Sequence, residues 1–348
     1  MFWTIIFAIL FFSLIIFVHE FGHFITARIF KVKVHEFAIG MGPKLFSWGK
    51  GETKYSIRAI PMGGFCSMEG EDSDSDDEGS FSRKPKYARA IILAAGAAMN
   101  IVLGFLICTA YVGVYYGGTG VPTAVVETTV EDSSVSEFLE PGDRIVKLNG
   151  QKINIKKDID FAMQDISGGE CEITFERAGE KVTKKFKPYE AKYADGTPAY
   201  LVGITVKTEK ANVFNVVKEA FFQTLWMGKL VYVSLGMMLR GQVGMNEISG
   251  PVGVVGMMSE SAKSGGINGL LNLLFLGSFI SVNIGLMNLL PIPALDGGRI
   301  FFVIVEAIRR KPIPPEKEGI VHAIGMILLV GLMLFATWND IMRLITGG

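Results

Sequence analysis

The stretch FVHEFGHFI, residues 17 to 25, holds two histidines four positions apart with a glutamate directly after the first. On a helix, residues four apart lie one turn above another on the same face, so the imidazoles of His19 and His23 can reach one cation. Glu20 beside them can take a proton from a water at that cation, the division of labour of an H-E-x-x-H pattern. So short a pattern arises readily by chance, and its surroundings carry more weight than its spelling. The stretch closes an apolar run that begins at Met1, and ionisable groups in a lipid-buried helix are costly without a partner. As packed core groups the three side chains would all need hydrogen-bond partners at once.

A catalytic zinc takes three protein ligands and leaves one position open. Of the remaining histidines, His35 stands in a polar loop and His322 near the start of the last apolar stretch. Asp296, in NLLPIPALDGGR (288–299), is the stronger third ligand: it is the first acid after 32 uncharged residues, where an isolated carboxylate needs a cation. Pro291 and Pro293 break the helix ahead of it, and Gly297-Gly298 allow close backbone approach. Irregular backbone at membrane depth is tolerated only against protein or a water-filled cavity, so the two oddities explain each other.

The elements that must position these residues follow from composition. The chain of 348 residues carries 34 Lys+Arg against 34 Asp+Glu, a balance with no electrostatic case for nucleic acid. Hydrophobic content of 49% and a mean hydropathy of +0.38 describe a chain that is part membrane and part soluble. Cys66, Cys108 and Cys171 are far apart and encode neither a disulfide framework nor a thiolate zinc site. Any metal must rely on imidazole and carboxylate.

Four stretches are long enough to span about 30 Å of hydrocarbon, giving an expected polytopic α-helical membrane protein. Its expected segments are a first span with HExxH (1–30), a membrane-associated β-hairpin loop with an acidic segment (31–87), a second span (88–118), and a β-rich domain (119–208). An interfacial amphipathic helix and connector (209–263), a third span with NxxPxPxLDGG (264–308), a short loop (309–318) and a fourth span (319–345) complete the chain. Lys/Arg counting makes the loops 31–87 and 309–318 cytoplasmic and both termini extracytoplasmic, with the HEFGH end of the first span close to the cytoplasmic face; the β-rich insert is then extracytoplasmic by alternation of the spans, since long translocated domains do not follow the counting rule. Residues 211–240 are apolar enough to raise a fifth span, but Lys218, Glu219 and Lys229 favour a helix in the interfacial plane. Residues 34–66 read as β-hairpins turning at WGKGE, with an edge open to an extended peptide. EGEDSDSDDE (69–78) reads as a solvated, mobile loop.

In the insert, EPGDRIVKLNGQKI (140–153) places a Pro-Gly-Asp turn before a strand Arg144 to Leu148, an Asn-Gly turn, and a second strand. GECEITFERAGEKVTKKFK (169–187) repeats the scheme with its bend at Ala178-Gly179. The first of these resembles the xGDxIxxINGxxI signature of PDZ domains, which take an extended peptide as an added strand. The upstream VEDSSVSEFLEPGD departs from that family's usual wording and leaves the peptide groove open to question.

HEFGH ending the first span, paired with Asn288-Leu-Leu-Pro-Ile-Pro-Ala-Leu-Asp-Gly-Gly in the third, resembles the site-2 protease family of intramembrane zinc metalloproteases, in the bacterial branch with a PDZ insert that acts on anti-sigma factors. FSRKPKYARAIILAAGAAMN and SGPVGVVGM (249–257) look like the same family, which extends the resemblance over essentially the whole chain. Ala97 stands where the family usually has Pro in an AGPxxN motif, and Asn100 is kept. The resemblance implies zinc bound by His19, His23 and Asp296, Glu20 as catalytic acid/base, and Asn288, with Pro291 and Pro293, against substrate. The expected substrate is a single-span membrane protein such as an anti-sigma factor already cut once outside, with the bilayer as second partner. From the residues alone, Asn288 serves equally as an interhelical hydrogen bond. A metal-handling membrane transporter with the same four residues as transport site, or a non-catalytic PDZ scaffold, remain the alternative classes.

Overall fold

The computed structural model of the protein describes residues 2–49, 51–71, 75–164, 166, 168–192, 197–242, 244, 249–311 and 313–346. The charge-poor runs become helices, because in hydrocarbon every backbone N–H and C=O must find its partner within its own segment. In chain order the elements begin with α1 (Phe2–Ile29), then β1 (Val34–Trp48) and β2 (Lys54–Met68), then α2 (Lys86–Tyr116). The insert follows with β3 (Val121–Thr129), a 3-10 turn at Ser134–Glu137, β4 (Arg144–Leu148), β5 (Gln151–Lys152), α3 (Lys156–Met163), β6 (Cys171–Arg177) and β7 (Glu180–Phe186). Strands β8 (Tyr189–Lys192), β9 (Pro198–Leu201) and β10 (Ile204–Glu209) close it. Five helices end the chain: α4 (Val213–Leu239), α5 (Pro251–Lys263), α6 (Gly266–Asn288), α7 (Asp296–Arg309) and α8 (Pro315–Thr346).

Among the described residues, four helical segments are long and apolar enough to cross a membrane: Ile5–Ile29, Lys86–Tyr116, Gly266–Asn288 and Lys317–Thr346. α4 is not one of them. Its Phe214, Val217, Phe221 and Leu225 are exposed while Asn215, Glu219 and Gln223 are buried, the reverse of a soluble surface helix and the arrangement an apolar face against lipid requires.

Two compact units divide the chain, Met1–Ile107 with Met227–Gly348, and Cys108–Trp226. In the first, β1 and β2 pair antiparallel, and the base of this hairpin packs Val34, Phe37, Cys66 and Met68 with Ala27, Ile92 and Val303. The far end exposes Leu45, Phe46, Trp48 and Ile60. Within this apolar hairpin Glu36 accepts from Ser56 at 2.6 Å and Arg58 at 2.9 Å and pairs with Lys44 at 2.9 Å. Against the cost of burial, these donors hold the Glu36 carboxyl down at about 2. α6 is fastened to α2 by hydroxyls, Ser278 donating to Gly104 O and Ser281 to Asn100 O, each at 2.8 Å. The buried Asp340 of α8 accepts the Gly253 N–H at 2.7 Å, capping the first turn of α5.

The acidic segment departs from expectation. Glu69 bonds His35, Asp77 bonds Lys33, Asp76 bonds Arg83 and Glu71 bonds Arg299, so its described residues are held by ion pairs that a composition count does not foresee. Residues 72–74 of that segment, and Lys50 in the hairpin turn, lie outside the described residues.

The second unit is a sheet in the order β10-β3-β4-β6-β7, with β5 pairing β4. The strand Arg144 to Leu148 forms as read from the sequence. Asn149 and Gly150 then take left-handed φ values of 49° and 76°, the backbone that a two-residue hairpin needs. Ala178 and Gly179 repeat it at 52° and 86°. Val126, Ile145, Leu148, Ile173 and Phe175 fill the core. Below them, buried Asp143 accepts from Arg177 Nε at 2.7 Å and Nη2 at 2.6 Å and from the Glu140 N–H at 2.9 Å.

Candidate active site

α1 carries His19, Glu20 and His23 within its last three turns. Two glycines let α2 approach them. A Cβ at Gly22 would stand 2.4 Å from Ala95 O, and one at Gly96 would stand 2.4 Å from His23 Nε2 and 2.8 Å from His19 Nε2. The imidazoles therefore occupy the volume that a side chain at position 96 would take.

His23 Nδ1 lies 2.9 Å from Ile92 O. A carbonyl only accepts, so Nδ1 carries a proton, and in the neutral ring Nε2 is the nitrogen left with a lone pair for a cation. His19 Nδ1 lies 3.3 Å from the side-chain amide of fully buried Asn100, whose Oδ1 lacks a partner among the described residues. Amide orientation follows the hydrogen-bond network. Turned over, Oδ1 accepts from His19 Nδ1–H, and in that neutral ring His19 Nε2 also presents a lone pair.

Asp296 opens α7 at a helix N-terminus, which favours a carboxylate. The preceding chain reaches it only because Gly297 and Gly298 have no side chain: a Cβ would stand 2.2 Å from Leu290 O at the first and 2.5 Å from Ile292 O at the second. Asp296 Oδ2 is 3.1 Å from His19 Nε2 and 3.4 Å from His23 Nε2, and the two Nε2 atoms are 3.2 Å apart. Oδ2 is buried and accepts no hydrogen bond among the described residues. Three lone-pair atoms facing one another without a donor repel, and a cation between them removes that penalty. Tetrahedral ligands at about 2.0–2.1 Å from zinc lie about 3.3–3.4 Å from each other. The donor set and its spacing therefore fit such an ion.

A cavity of about 520 Å³ opens on the cluster, lined by Glu20, Phe65 to Met68 of β2, Glu71, Leu295 and Arg299 with the three ligating side chains. The Cys66 N–H donates to the Glu20 carboxylate, and a Cβ at Gly64 would stand 3.3 Å from Glu20 Cγ, so β2 lies directly on this carboxylate. Burial pushes the Cys66 thiol up, with the Glu20 charge adding to it, which keeps it a neutral thiol. Arg299, one turn along α7 from Asp296, pairs with Glu71 at the cavity wall.

Glu20, His19, His23 and Asp296 thus come together. Asn288 ends α6, and neither it nor Pro291 nor Pro293 is among the residues lining the cavity. Sequence reasoning gave no role to Asn100, Gly96 or Ile92; an amide deep in a charge-free helix was the available signal for the first, and nothing local marked the other two.

The peptidase family M50 model matches residues 7–332. A putative zinc metalloprotease of Clostridium perfringens strain 13 is 37% identical over 340 residues, covering 97% of this chain and 98% of that protein. The regulator of sigma-W protease RasP of Bacillus subtilis strain 168 is 30% identical over 422 aligned positions, covering 98% of this chain and 99% of RasP. Among solved structures, the PDZ domain of an SdrC-like protein from Listeria innocua aligns to 25% of this chain and 96% of its own, at 23% identity and a TM-score of 0.22.

Proposed function

The chain belongs to peptidase family M50, and from that premise we propose that it hydrolyses peptide bonds in or near the membrane-spanning segment of single-span membrane proteins. It is a metalloprotease and a multi-pass membrane protein. The observation that carries this reading is the convergence of three potential ligand atoms, His19 Nε2, His23 Nε2 and Asp296 Oδ2, at a cavity that Glu20 also lines. These three residues would hold a zinc ion, which supplies a Lewis acid for the scissile carbonyl and makes a neighbouring water acidic enough to lose its proton near neutrality.

Glu20 acts as the base that accepts this proton on its carboxylate and then returns it to the leaving amine nitrogen. The Cys66 N–H fixes which way the carboxylate faces. His23 is oriented by Ile92 O and His19 by Asn100, so neither imidazole has to reorganise during the reaction. A helical substrate hides its carbonyls in its own hydrogen bonds. Strand β2, whose residues Phe65 to Met68 line the cavity, offers the extended template on which an unwound segment is held by added-strand pairing. Asn288, with Pro291 and Pro293, shapes the chain beside it.

The RasP relative is called a regulator of sigma-W protease, which supports an anti-sigma factor as the substrate; its earlier trimming on the outer side is part of the proposal. Lys/Arg counting in the short loops puts the site toward the cytoplasm, and alternation of the spans then puts the PDZ-like insert outside, as a filter against untrimmed substrates. The test compares purified parent and Glu20→Gln for zinc content and for cleavage of a single-span substrate in detergent. Both proteins should carry about one zinc, and the variant should cleave about 10²–10⁴ times more slowly. Equal cleavage by the variant, or no zinc in the parent, overturns the reading.

A further inference from the structure

His322, considered above for the third ligand, does something else. Its Nδ1 accepts the Ala294 N–H at 2.9 Å, two residues before Asp296. Ala294 has φ +79°, a left-handed backbone that a residue with a Cβ adopts only when its surroundings impose it. One turn along α8, Gly325 leaves room for the same turn: a Cβ there would stand 2.4 Å from Pro293 Cβ and 2.6 Å from Pro293 O. Met326, the next residue, lines the cavity. Phe302 of α7 lies against the His322 ring, with centroids 5.7 Å apart, and Glu318 Oε1 is 3.8 Å from Nε2. Two residues on one face of the fourth span, His322 and Gly325, therefore meet the irregular segment that delivers Asp296.

We propose that His322 is a positioning residue for the candidate metal site, holding the Pro293-Ala294 turn by its Nδ1 so that Asp296 stands at ligating distance from both histidines. The proposal rests on the reading of Asp296 as a ligand. An acceptor for the Ala294 amide is what stabilises the strained φ. Without it the N–H loses its partner and the turn is released to more extended backbone. Asp296 lies only two residues on, and a ligand that moves by a fraction of an ångström no longer completes the triangle.

Three variants test this. Asn places its Oδ1 at the position of Nδ1 and keeps the acceptor, Gln places its oxygen one bond farther out, and Leu removes it. Two readouts are taken on purified protein in detergent: amide exchange across 290–298 in the metal-free form, and zinc affinity by chelator competition. His322→Leu and His322→Gln should speed exchange at Ala294 about tenfold and weaken zinc about tenfold, while His322→Asn should stay close to the parent in both. Indistinguishable Asn and Gln variants, or a Leu variant with parental exchange in this segment, overturn the proposal. A parent that takes up no zinc defeats the metal reading instead, and the exchange measurement then still decides whether His322 holds the turn.

Discussion

Two carboxylates in this molecule, each with an oxygen shielded from solvent, have opposite surroundings. Asp143, in the β-rich insert, is 2% exposed and receives two guanidinium N–H groups of Arg177 and one backbone N–H. Asp296, at the start of α7, has a buried Oδ2 that accepts no hydrogen bond among the described residues and faces two imidazole nitrogens. The first carboxylate is satisfied by its own fold and has nothing left to offer a ligand. The second is satisfied only when something positive arrives. Burial therefore does not separate a structural acid from a site acid; the inventory of donors around it does.

The sharpest way to break this contrast is to neutralise each acid in turn. Asp296→Asn is expected to lose bound zinc and cleavage together, below detection by metal analysis and substrate assay, with the insert's folding unchanged. Asp143→Ala should do the reverse: zinc and cleavage persist while the insert loses about 2 kcal/mol of stability, read by denaturant unfolding or proteolysis of that unit. The figure is kept low because Arg177 is 37% exposed and water takes over part of its partnership. If Asp143→Ala strips the zinc, the two acids are not independent and the comparison fails.

A smaller effect separates ligands from the groups that orient them. Asn100→Leu removes the partner of His19 Nδ1, and zinc affinity is expected to fall about tenfold, measured by chelator competition. Asn100→Asp keeps an acceptor at that position and should recover most of the affinity. Failure of both to differ from the parent would show that His19 is oriented by packing alone.

The smallest expected effect lies in the hairpin, where Glu36 is a satisfied acid of the Asp143 kind. Its folded value of about 2 lies below the ordinary value of 4.5, so its contribution to stability is complete above about 4.5 and is lost as pH falls through about 2. Glu36→Gln should flatten the fall of thermal midpoint between about pH 5 and pH 3 while leaving the shape above pH 5 unaltered. An unchanged acid limb would assign that fall to other carboxylates.

What was legible in the sequence was whatever contradicted its own surroundings. His19, Glu20 and His23 stand out from an apolar run, Asp296 ends a long uncharged one, and Asn149-Gly150 and Ala178-Gly179 interrupt alternating strands; each announces a ligand or a turn locally. The four membrane-length helices followed from length and charge alone. The roles of Asn100, Gly96 and His322 depend on which helix packs against which: the first two meet α1 residues more than 70 positions away, and His322 meets Ala294 28 positions away. The acidic run 69–78 failed for a related reason: its partners Lys33, His35 and Arg299 are distant, and a count of like charges sees only repulsion.

The glycines at positions 22 and 96 reach beyond this chain. Because the space for the α1 imidazoles is the side chain that α2 lacks, neither helix holds a complete half of the centre. A designer transplanting HEFGH into a new scaffold would carry over the chelating letters and leave behind their socket; the unit that can be moved is the helix pair in its mutual register, and a bulkier residue at either glycine would undo the graft as surely as losing a histidine.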